Sequence, residues 1–360
     1  MLSLLAFVCF FSVVFGLSIR QLPDEQQTTP VFPPTRQTQQ HTHDPTIIRV
    51  GDEYYLYNVG EHIFIHTAPN MAGPWQKIGS VMDANSVIDK GDRAVPWAPS
   101  VIAVGETYYC FYSVSRAGCR DSAIGVVTSA SPGPGDWQDH GVVVQSGTGE
   151  NSDLYPFNQS NTIDPSVVVS ADGQGYLSFG SYWTGIYQVP LTPDLLRPSN
   201  TAESEVRHLA YEPLALSKPS ENANMMCGDP TGPHAIEGAF MSYHRGYYYL
   251  WFSHGRCCDL QEDKLPPAGQ EYSIRVGRST SPRGPFIDKT GMDLVDGGGT
   301  IVYGSNGDVY APGGQGVLRD GNTDVLYYHY LNTSVGIAFS DAMLGYNPLN
   351  YVNGWPVAMP

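Results

Sequence analysis

Apolar residues in this chain come in short runs broken by Gly and Pro, and the runs return in the same order five times. The first copy reads Asp44-Pro45-Thr46-Ile47-Ile48, then Gly51-Asp52-Glu53, Tyr54-Tyr55-Leu56-Tyr57, Ile63-Phe64-Ile65 and Gly73-Pro74-Trp75. The second reads Ala98-Pro99-Ser100, Gly105, Tyr108-Tyr109-Cys110-Phe111, Ala123 to Val127 and Asp136-Trp137. The third has Asp164-Pro165-Ser166, Gly173, Tyr176 to Phe179 and Gly185 to Val189. The fourth has Glu237-Gly238-Ala239, Gly246, Tyr247 to Phe252, Ser273 to Val276 and Gly284-Pro285-Phe286. The fifth has Pro312 to Leu318, Asp324 to His329 and Ser334 to Ala338. Short Tyr-, Val- and Ile-rich runs bounded by turn residues predict strands, and no stretch keeps a helical period. Each copy therefore predicts a strand, a Gly-centred hairpin, an aromatic strand, a third strand and a closing segment. Four strands recurring at a spacing of roughly 50 residues predict an all-β fold, a five-bladed β-propeller. One blade cannot bury both of its faces, so the copies read as one domain, although 360 residues alone would imply two or three.

The ends of the chain follow a different pattern. Leu2 to Leu17 is a continuous apolar run with small residues at Val14 and Gly16 and polar Ser18-Ile19-Arg20 beyond. That predicts a secretory signal peptide over residues 1–16; a membrane anchor needs about 20 apolar residues. Residues 17–40, rich in Gln, Thr and Pro, read as a flexible leader, and 41–360 as the propeller. No later segment is long and apolar enough to span a bilayer.

Composition supports this picture and narrows the partner. The chain carries 39 Gly, 28 Pro and 23 Tyr, the residues of turns and aromatic strands. Charged residues are only 15%, with 19 basic against 35 acidic and a net charge of −16. So negative a surface repels nucleic acid and anionic lipid, which leaves a neutral partner. Nothing marks a partner helix, and a monomer is expected.

Cys9 leaves with the signal peptide, and five cysteines remain: Cys110, Cys119, Cys227, Cys257 and Cys258. An odd number leaves at least one free or paired between molecules. Cys257 and Cys258 could bridge each other, or each could reach elsewhere, for instance to Cys227. No spacing suits a tetrahedral zinc site. Asn158-Gln-Ser and Asn332-Thr-Ser are N-glycosylation sequons.

In a propeller the first strand of each blade lies nearest the central channel, so the starts of the five copies converge there. Those starts are Asp44, Ala98 to Ser100, Asp164, Glu237 and Pro312 to Gln315. Asp-Pro on its own is a common turn starter. Two Asp-Pro pairs in register, with a Glu inside the otherwise uncharged Pro233-to-Met241 run, predict a cluster of convergent acids instead. Three carboxyls without a thiol, serine triad or metal motif suit glycoside hydrolysis, in which one stays protonated to serve the leaving oxygen and another activates water. A third raises or orients the donor. Trp97, Tyr182, Trp183 and Trp251 are candidates for stacking on sugar, Trp183 foremost, although blade-to-blade packing explains most of the aromatics.

Several of these motifs are longer than the repeat requires. His43-Asp44-Pro45, Trp97-Ala98-Pro99, Ser122-Ala-Ile-Gly125, Asn161-Thr-Ile-Asp-Pro165, Phe179-Gly-Ser-Tyr-Trp183, His234-Ala-Ile-Glu-Gly238, Cys257-Cys258 and Pro312-Gly-Gly-Gln-Gly316 resemble glycoside hydrolase family 43. Within it the resemblance is closer to the secreted fungal endo-arabinanases and runs from about His41 to Trp355. It implies a five-bladed propeller that hydrolyses α-1,5-linked arabinan, or arabino-oligosaccharides, with inversion. By position Asp44 would be the general base, Glu237 the general acid, and Asp164 the residue that tunes and orients Glu237. Substrate contacts would come from Asp44, Gly118, Asn161, Thr162, Ile163, Asp164, Ser181, Tyr182, Trp183 and His329. A histidine like His329 in such enzymes also holds a hydrated ion such as calcium. No cofactor is required, no acidic calcium loop is present, and an ion held through water by His329 would leave no such motif. Many members carry Asp where this chain has Ser100, which removes a fourth acid near the channel. The segments 83–94, 146–160 and 195–232 read as loops shaping the cleft. The rival activities are an exo-acting arabinofuranosidase or β-xylosidase on the same fold, and a glycan-binding propeller without catalysis.

Overall fold

The computed structural model describes residues 31–200, 202–258 and 260–360. The expected signal peptide over 1–16 and the first part of the leader lie outside the described residues. Within them, the aromatic run of each repeat becomes the second strand of an antiparallel sheet, as its pattern predicts.

The first blade follows an N-terminal strand β1 (Arg36–His41) and consists of β2 (Thr46–Val50), β3 (Glu53–Asn58), β4 (Phe64–Ala68) and β5 (Gln76–Ser80). The second is β6 (Trp97–Val104), β7 (Thr107–Val114), β8 (Ala123–Ser129) and β9 (Gln138–Gln145). The third is β10 (Ser166–Val169), β11 (Gly175–Phe179), β12 (Ile186–Pro190) and β13 (Arg207–Ala210). The fourth is β14 (Ile236–His244), β15 (Tyr247–His254), β16 (Ser273–Ser279) and β17 (Thr300–Tyr303). The fifth contains β18 (Val309–Asp320), β19 (Thr323–Asn332) and β20 (Ala342–Val352), with β1 and β21 (Trp355–Ala358) both pairing with β20.

The core is divided into five apolar clusters, one at each junction between neighbouring blades. Tyr57, Ile65, Val101 and Tyr112 join blades one and two; Phe111, Ile124, Leu177 and Phe179 join two and three. Ile186, Leu209, Leu250 and Phe252 join three and four, and Trp251, Ile274, Leu326 and Tyr328 join four and five. Ile47 and Leu56 of the first blade then meet Val325, Tyr327 and Leu344 of the fifth. That last cluster closes the ring, so each sheet buries both faces against a neighbour and none has to stand alone. Phe32 to Pro360 form one compact unit.

Three expectations are corrected. The leader does not run to residue 40: Arg36 to His41 form the outer strand of the fifth blade, with Thr38 Oγ1 donating to the Leu344 carbonyl at 2.9 Å. Asn347 Nδ2 donates to the Pro34 carbonyl at 3.0 Å and Tyr303 OH to that of Pro33 at 2.9 Å, so the ordered domain begins well before His41. The third strand of the fifth blade is β20, not Ser334 to Ala338. Asn332 draws that segment into a turn, its Oδ1 accepting from Ser334 N at 3.0 Å and its carbonyl from Val335 N at 2.8 Å. Finally, the 195–232 segment is not all loop, because β13 lies inside it and completes the third blade.

Among the cysteines, Cys119 pairs with Cys227, Cys257 with Cys258, and Cys110 is a buried free thiol. Asn158 is exposed. Asn332 is only 8% exposed and its side chain is committed to the turn, which leaves it poorly placed to carry a glycan. No helix among the described residues is long and apolar enough to cross a membrane.

Candidate active site

The first strand of every blade is entered through one residue in a left-handed conformation. These residues are Asp44, Ala98, Asp164, Gly238 and Gly314, with φ of 46°, 44°, 57°, 64° and 56°. The pairing of first and second strands places them in register, since Thr46, Ser100, Ser166, Phe240 and Gly316 face Tyr57, Phe111, Ser178, Trp251 and Tyr327. All five left-handed residues line one pocket on the axis, together with Gln315 and the flanking prolines. Asp44 and Asp164 thus converge as the repeat predicts. Glu237 does not occupy the same slot. It stands one place earlier, equivalent to His43, Trp97, Ile163 and Gly313, and Gly238 takes the left-handed position.

Neighbouring blades are latched across these entries. Asp164 N donates to Ser113 Oγ of the previous blade at 3.0 Å, and Gly314 N to Ser253 Oγ at 2.9 Å. Asp44 N does the same to His329 Nδ1 at 3.1 Å. Gly180 stands where blades two, four and five have Ser113, Ser253 and His329, and offers no side chain. There Gly238 N donates to Asp164 Oδ2 instead, at 3.0 Å. One repeated device therefore fixes both the backbone under Asp44 and one oxygen of Asp164.

The three carboxyls sit in different electrostatic surroundings. Burial works to raise Asp44, but His43, with Nδ1 3.1 Å from Oδ2, more than offsets it; His329 Nδ1 lies 3.4 Å from Oδ1. Asp44 is held well below the usual carboxylate range, hence ionised. Burial pushes Glu237 up to about 7, opposed by the hydrogen bond from Ser181 and helped by the charge of Asp44. Burial and the charges of Glu237 and Asp44 push Asp164 well above its ordinary value, against the bond from Gly238. Asp164 and Glu237 consequently hold protons as a pair where Asp44 holds none.

Glu237 is gripped from two sides. The Ser181 hydroxyl donates to Oε2 and the Tyr272 hydroxyl to Oε1. Tyr272 was not foreseen from the sequence. It stands at the foot of β16, the position Ser122 holds before β8, so the repeat marked the place without predicting the residue. The Tyr272 ring lies 6.2 Å from His329, His329 stacks on His43 at 3.9 Å, and His43 on Phe339 at 4.0 Å. Burial first, then His43, lowers His329 to about 4. It is neutral, and its Nδ1 lone pair is used by the Asp44 N–H.

The other expected contacts divide. Ser181 and Tyr182 belong to the site; Tyr182 OH donates to the Gly255 carbonyl at 3.3 Å and feels the charge of Glu237. Thr162 is fully buried with its hydroxyl bonded to the Ser122 carbonyl at 3.0 Å, so it holds the turn and cannot face a ligand. Asn161 and Ile163 are buried beside it, and Asn161 Oδ1 accepts from Ser122 Oγ at 2.7 Å. Gly118 is exposed at the rim, its carbonyl accepting from Gly228 N at 2.8 Å beside the Cys119–Cys227 bridge. Trp183 is buried beneath the Arg120 guanidinium, 5.7 Å from its ring. Trp251 is core, fully buried with Nε1 donating to Ser242 Oγ at 2.9 Å. Trp97 is half-buried at the slot equivalent to Glu237 and remains available to a sugar.

His43, Asp44 and His329 are the described residues nearest to a metal-binding set, with ligand atoms within 4.8 Å of one another. Calcium takes six to eight oxygen ligands, and this set supplies two imidazoles and one carboxylate. It does not build a direct calcium shell.

Comparison with known proteins agrees with this geometry. The model of glycosyl hydrolases family 43 matches residues 37–356. Arabinan endo-1,5-alpha-L-arabinosidase B of Emericella nidulans is 57% identical over 342 residues, covering 91% of this chain and 86% of the relative. The structure of the Cellvibrio cellulosa alpha-L-arabinanase complexed with arabinohexaose superposes with a TM-score of 0.73 at 27% identity, covering 89% of this chain and 96% of that one. The exo-1,5-alpha-L-arabinanase from a bovine ruminal metagenomic library gives 0.75 at 26% identity, covering 92% and 99%. With three carboxyls around the axis of a five-bladed propeller and a family match over nearly all of the described chain, the protein belongs to glycosyl hydrolase family 43.

Proposed function

We propose that the protein is a secreted, inverting endo-1,5-α-L-arabinanase acting on arabinan and arabino-oligosaccharides as a monomer. The observation that carries this reading is the division of labour between carboxyls. Glu237 keeps its proton up to about 7, while Asp44, across the same axis, has lost its own. Glu237 donates to the oxygen leaving the scissile bond, and Asp44 takes a proton from the water that attacks the opposite face of the furanose. Asp164, through Gly238 N, fixes the backbone next to Glu237. His329 holds the Asp44 backbone in place. No step passes through a metal ion. The two disulfides fit an oxidising, extracellular compartment.

Similarity to an exo-1,5-alpha-L-arabinanase favours a second reading, in which the same chemistry acts only from chain ends. Linear arabinan separates the two. An endo enzyme releases a spread of oligosaccharides from the first minutes, an exo enzyme one small product throughout. NMR of the first product must show the β-anomer; an α-anomer ends the inverting mechanism. Glu237→Gln should lower turnover by about 10²- to 10⁴-fold and leave arabinohexaose binding intact. Unchanged turnover would remove Glu237 as the acid, and arabinan bound by the wild-type protein without any turnover would leave a glycan-binding propeller as the better account.

A further inference from the structure

The first hairpin of the fourth blade departs from its counterparts. In blades one, two and five the first strand turns back through two residues, and the first of them is Gly51, Gly105 or Gly321, at φ of 62°, 62° and 57°. Between β14 and β15 that place holds Arg245, at φ 46°. It borders a cavity of about 350 Å³ between blades four and five. The lining also includes Phe240, Tyr243 and His244 of β14, and Arg319 and Asp324 of the fifth blade. We propose that this cavity binds a uronic-acid unit of a polysaccharide and so anchors the enzyme to acidic glycan away from its active site.

The site is distinct from the catalytic axis. Arg245 follows Glu237 by eight residues along β14, roughly 25 Å at about 3.3 Å per residue, at the end of the blade opposite the strand entries. Phe240 is the one lining residue that the cavity shares with the axial pocket. Arg245 itself is held in a conformation that a Cβ disfavours. It is exposed and pairs with no carboxylate among the described residues, so no contact within the chain accounts for an arginine there. Such a retained outlier points to a ligand.

The lining says what the ligand is. The chain has a net charge of −16, yet here two arginines face a single acid. That acid is already engaged: Asp324 Oδ1 accepts from Arg319 Nη1 at 2.8 Å, and Oδ2 from His244 Nδ1 at 2.7 Å and Tyr351 OH at 2.9 Å. Arg245 keeps its whole guanidinium for a ligand and Arg319 the rest of its own, and such planar forks match a carboxylate. Phe240 and Tyr243, the latter 60% exposed, add aromatic surface for the CH-bearing face of a sugar ring. The volume falls within the roughly 300–1,000 Å³ of ligand sites, and an inorganic anion would leave most of it empty. One wall is preformed, because His244 lies flat on the Tyr351 ring at 3.7 Å while Asp324 holds its edge.

Titration calorimetry on the full chain tests this with trigalacturonate, its methyl ester and inorganic phosphate as probes. Trigalacturonate should bind, and the uncharged ester should bind at least about tenfold more weakly. Arg245→Gly restores the residue of the other hairpins. It should weaken trigalacturonate about ten- to hundred-fold, the loss expected for a hydrogen bond to a charged group. It should also melt no lower than the wild-type protein and leave kcat and KM on linear arabinan in place. Arg245→Asn, which tolerates the same φ, serves if the glycine variant does not fold. No binding of trigalacturonate overturns the proposal, and so does equal binding of the ester or equal binding by Arg245→Gly. Phosphate bound as tightly as trigalacturonate also overturns it, leaving an anion site with no sugar specificity. Competition between trigalacturonate and arabinohexaose would place the acidic sugar in the catalytic cleft and end the case for a separate site.

Discussion

Asp44 and Glu237 show how little the identity of a side chain decides by itself. Both are carboxylic acids on one axis, and their neighbours drive them apart: the contact with His43 holds Asp44 ionised, and burial keeps Glu237 protonated up to about 7. The pH dependence follows with a definite sign. Glu237 must carry a proton to act, so kcat/KM should fall as pH rises through about 7. Asp44 must lack one, so the acid limb should lie below the ordinary aspartate value of about 3.9. Ser181 donates to the charged form of Glu237. Removing that donor in Ser181→Ala should move the alkaline limb up by about one pH unit; a limb moving down would refute the assignment. The repeat made the three acids legible, because each recurs at a blade entry. Tyr272 stayed hidden, since its bond to Glu237 joins strands 35 residues apart and its slot in the second blade holds Ser122.

Among the strands, the aromatic second strand of every blade is legible in the sequence, and the polar β1 is not. The sequence Arg36-Gln37-Thr38-Gln39-Gln40-His41 has no apolar face, and as an outermost strand it needs none; only Thr38 is buried. Its contribution is made through hydrogen bonds. Tyr328 OH meets Thr35 Oγ1 at 2.7 Å, beside the bonds to Pro33, Pro34 and Leu344 described above. A chain beginning at Phe32 keeps all of these bonds. One beginning at Thr42 strands the partners of those bonds and should lose about 3–5 kcal/mol, at roughly 1 kcal/mol for each bond. Calorimetry on the two truncations checks this, and equal melting temperatures would mean that β1 is only an ornament on the fifth blade. The fifth blade was also misread at its third strand, where Ser334 to Ala338 has an apolar alternation that Asn332 overrides by capping a turn.

For the molecule as a whole, the five junction clusters account for the low charge content of the chain. Most strand residues face another blade and have no use for a charge. The net charge of −16 belongs to the outside. A neutral polysaccharide feels that field weakly, so kcat/KM on linear arabinan should change by less than about twofold when salt is raised from a few millimolar to physiological strength. A steep dependence would indicate that a charged ligand is the true substrate. The ring and its five units were visible in the sequence because repetition is a global signal. How the ring is sealed, with the first blade meeting the fifth and Arg36–His41 joining the last sheet, was not, because it depends on residues far apart in the chain.

The left-handed entries also restrict what evolution can write at the axis. An L-residue with a Cβ spends roughly 1–2 kcal/mol to sit there, and Gly, Asn and Asp tolerate the position best. Each blade thus offers one inward-facing place with a short vocabulary, in which aspartate is the only acid that fits comfortably. That explains the departure in the fourth blade: a glutamate is the wrong residue for the slot, so Gly238 fills it and the longer acid is spelled one letter earlier. A propeller of this design can gain or lose an aspartate at any blade with little disturbance to its backbone, whereas converting Asp44 to glutamate would damage the fold and the chemistry together.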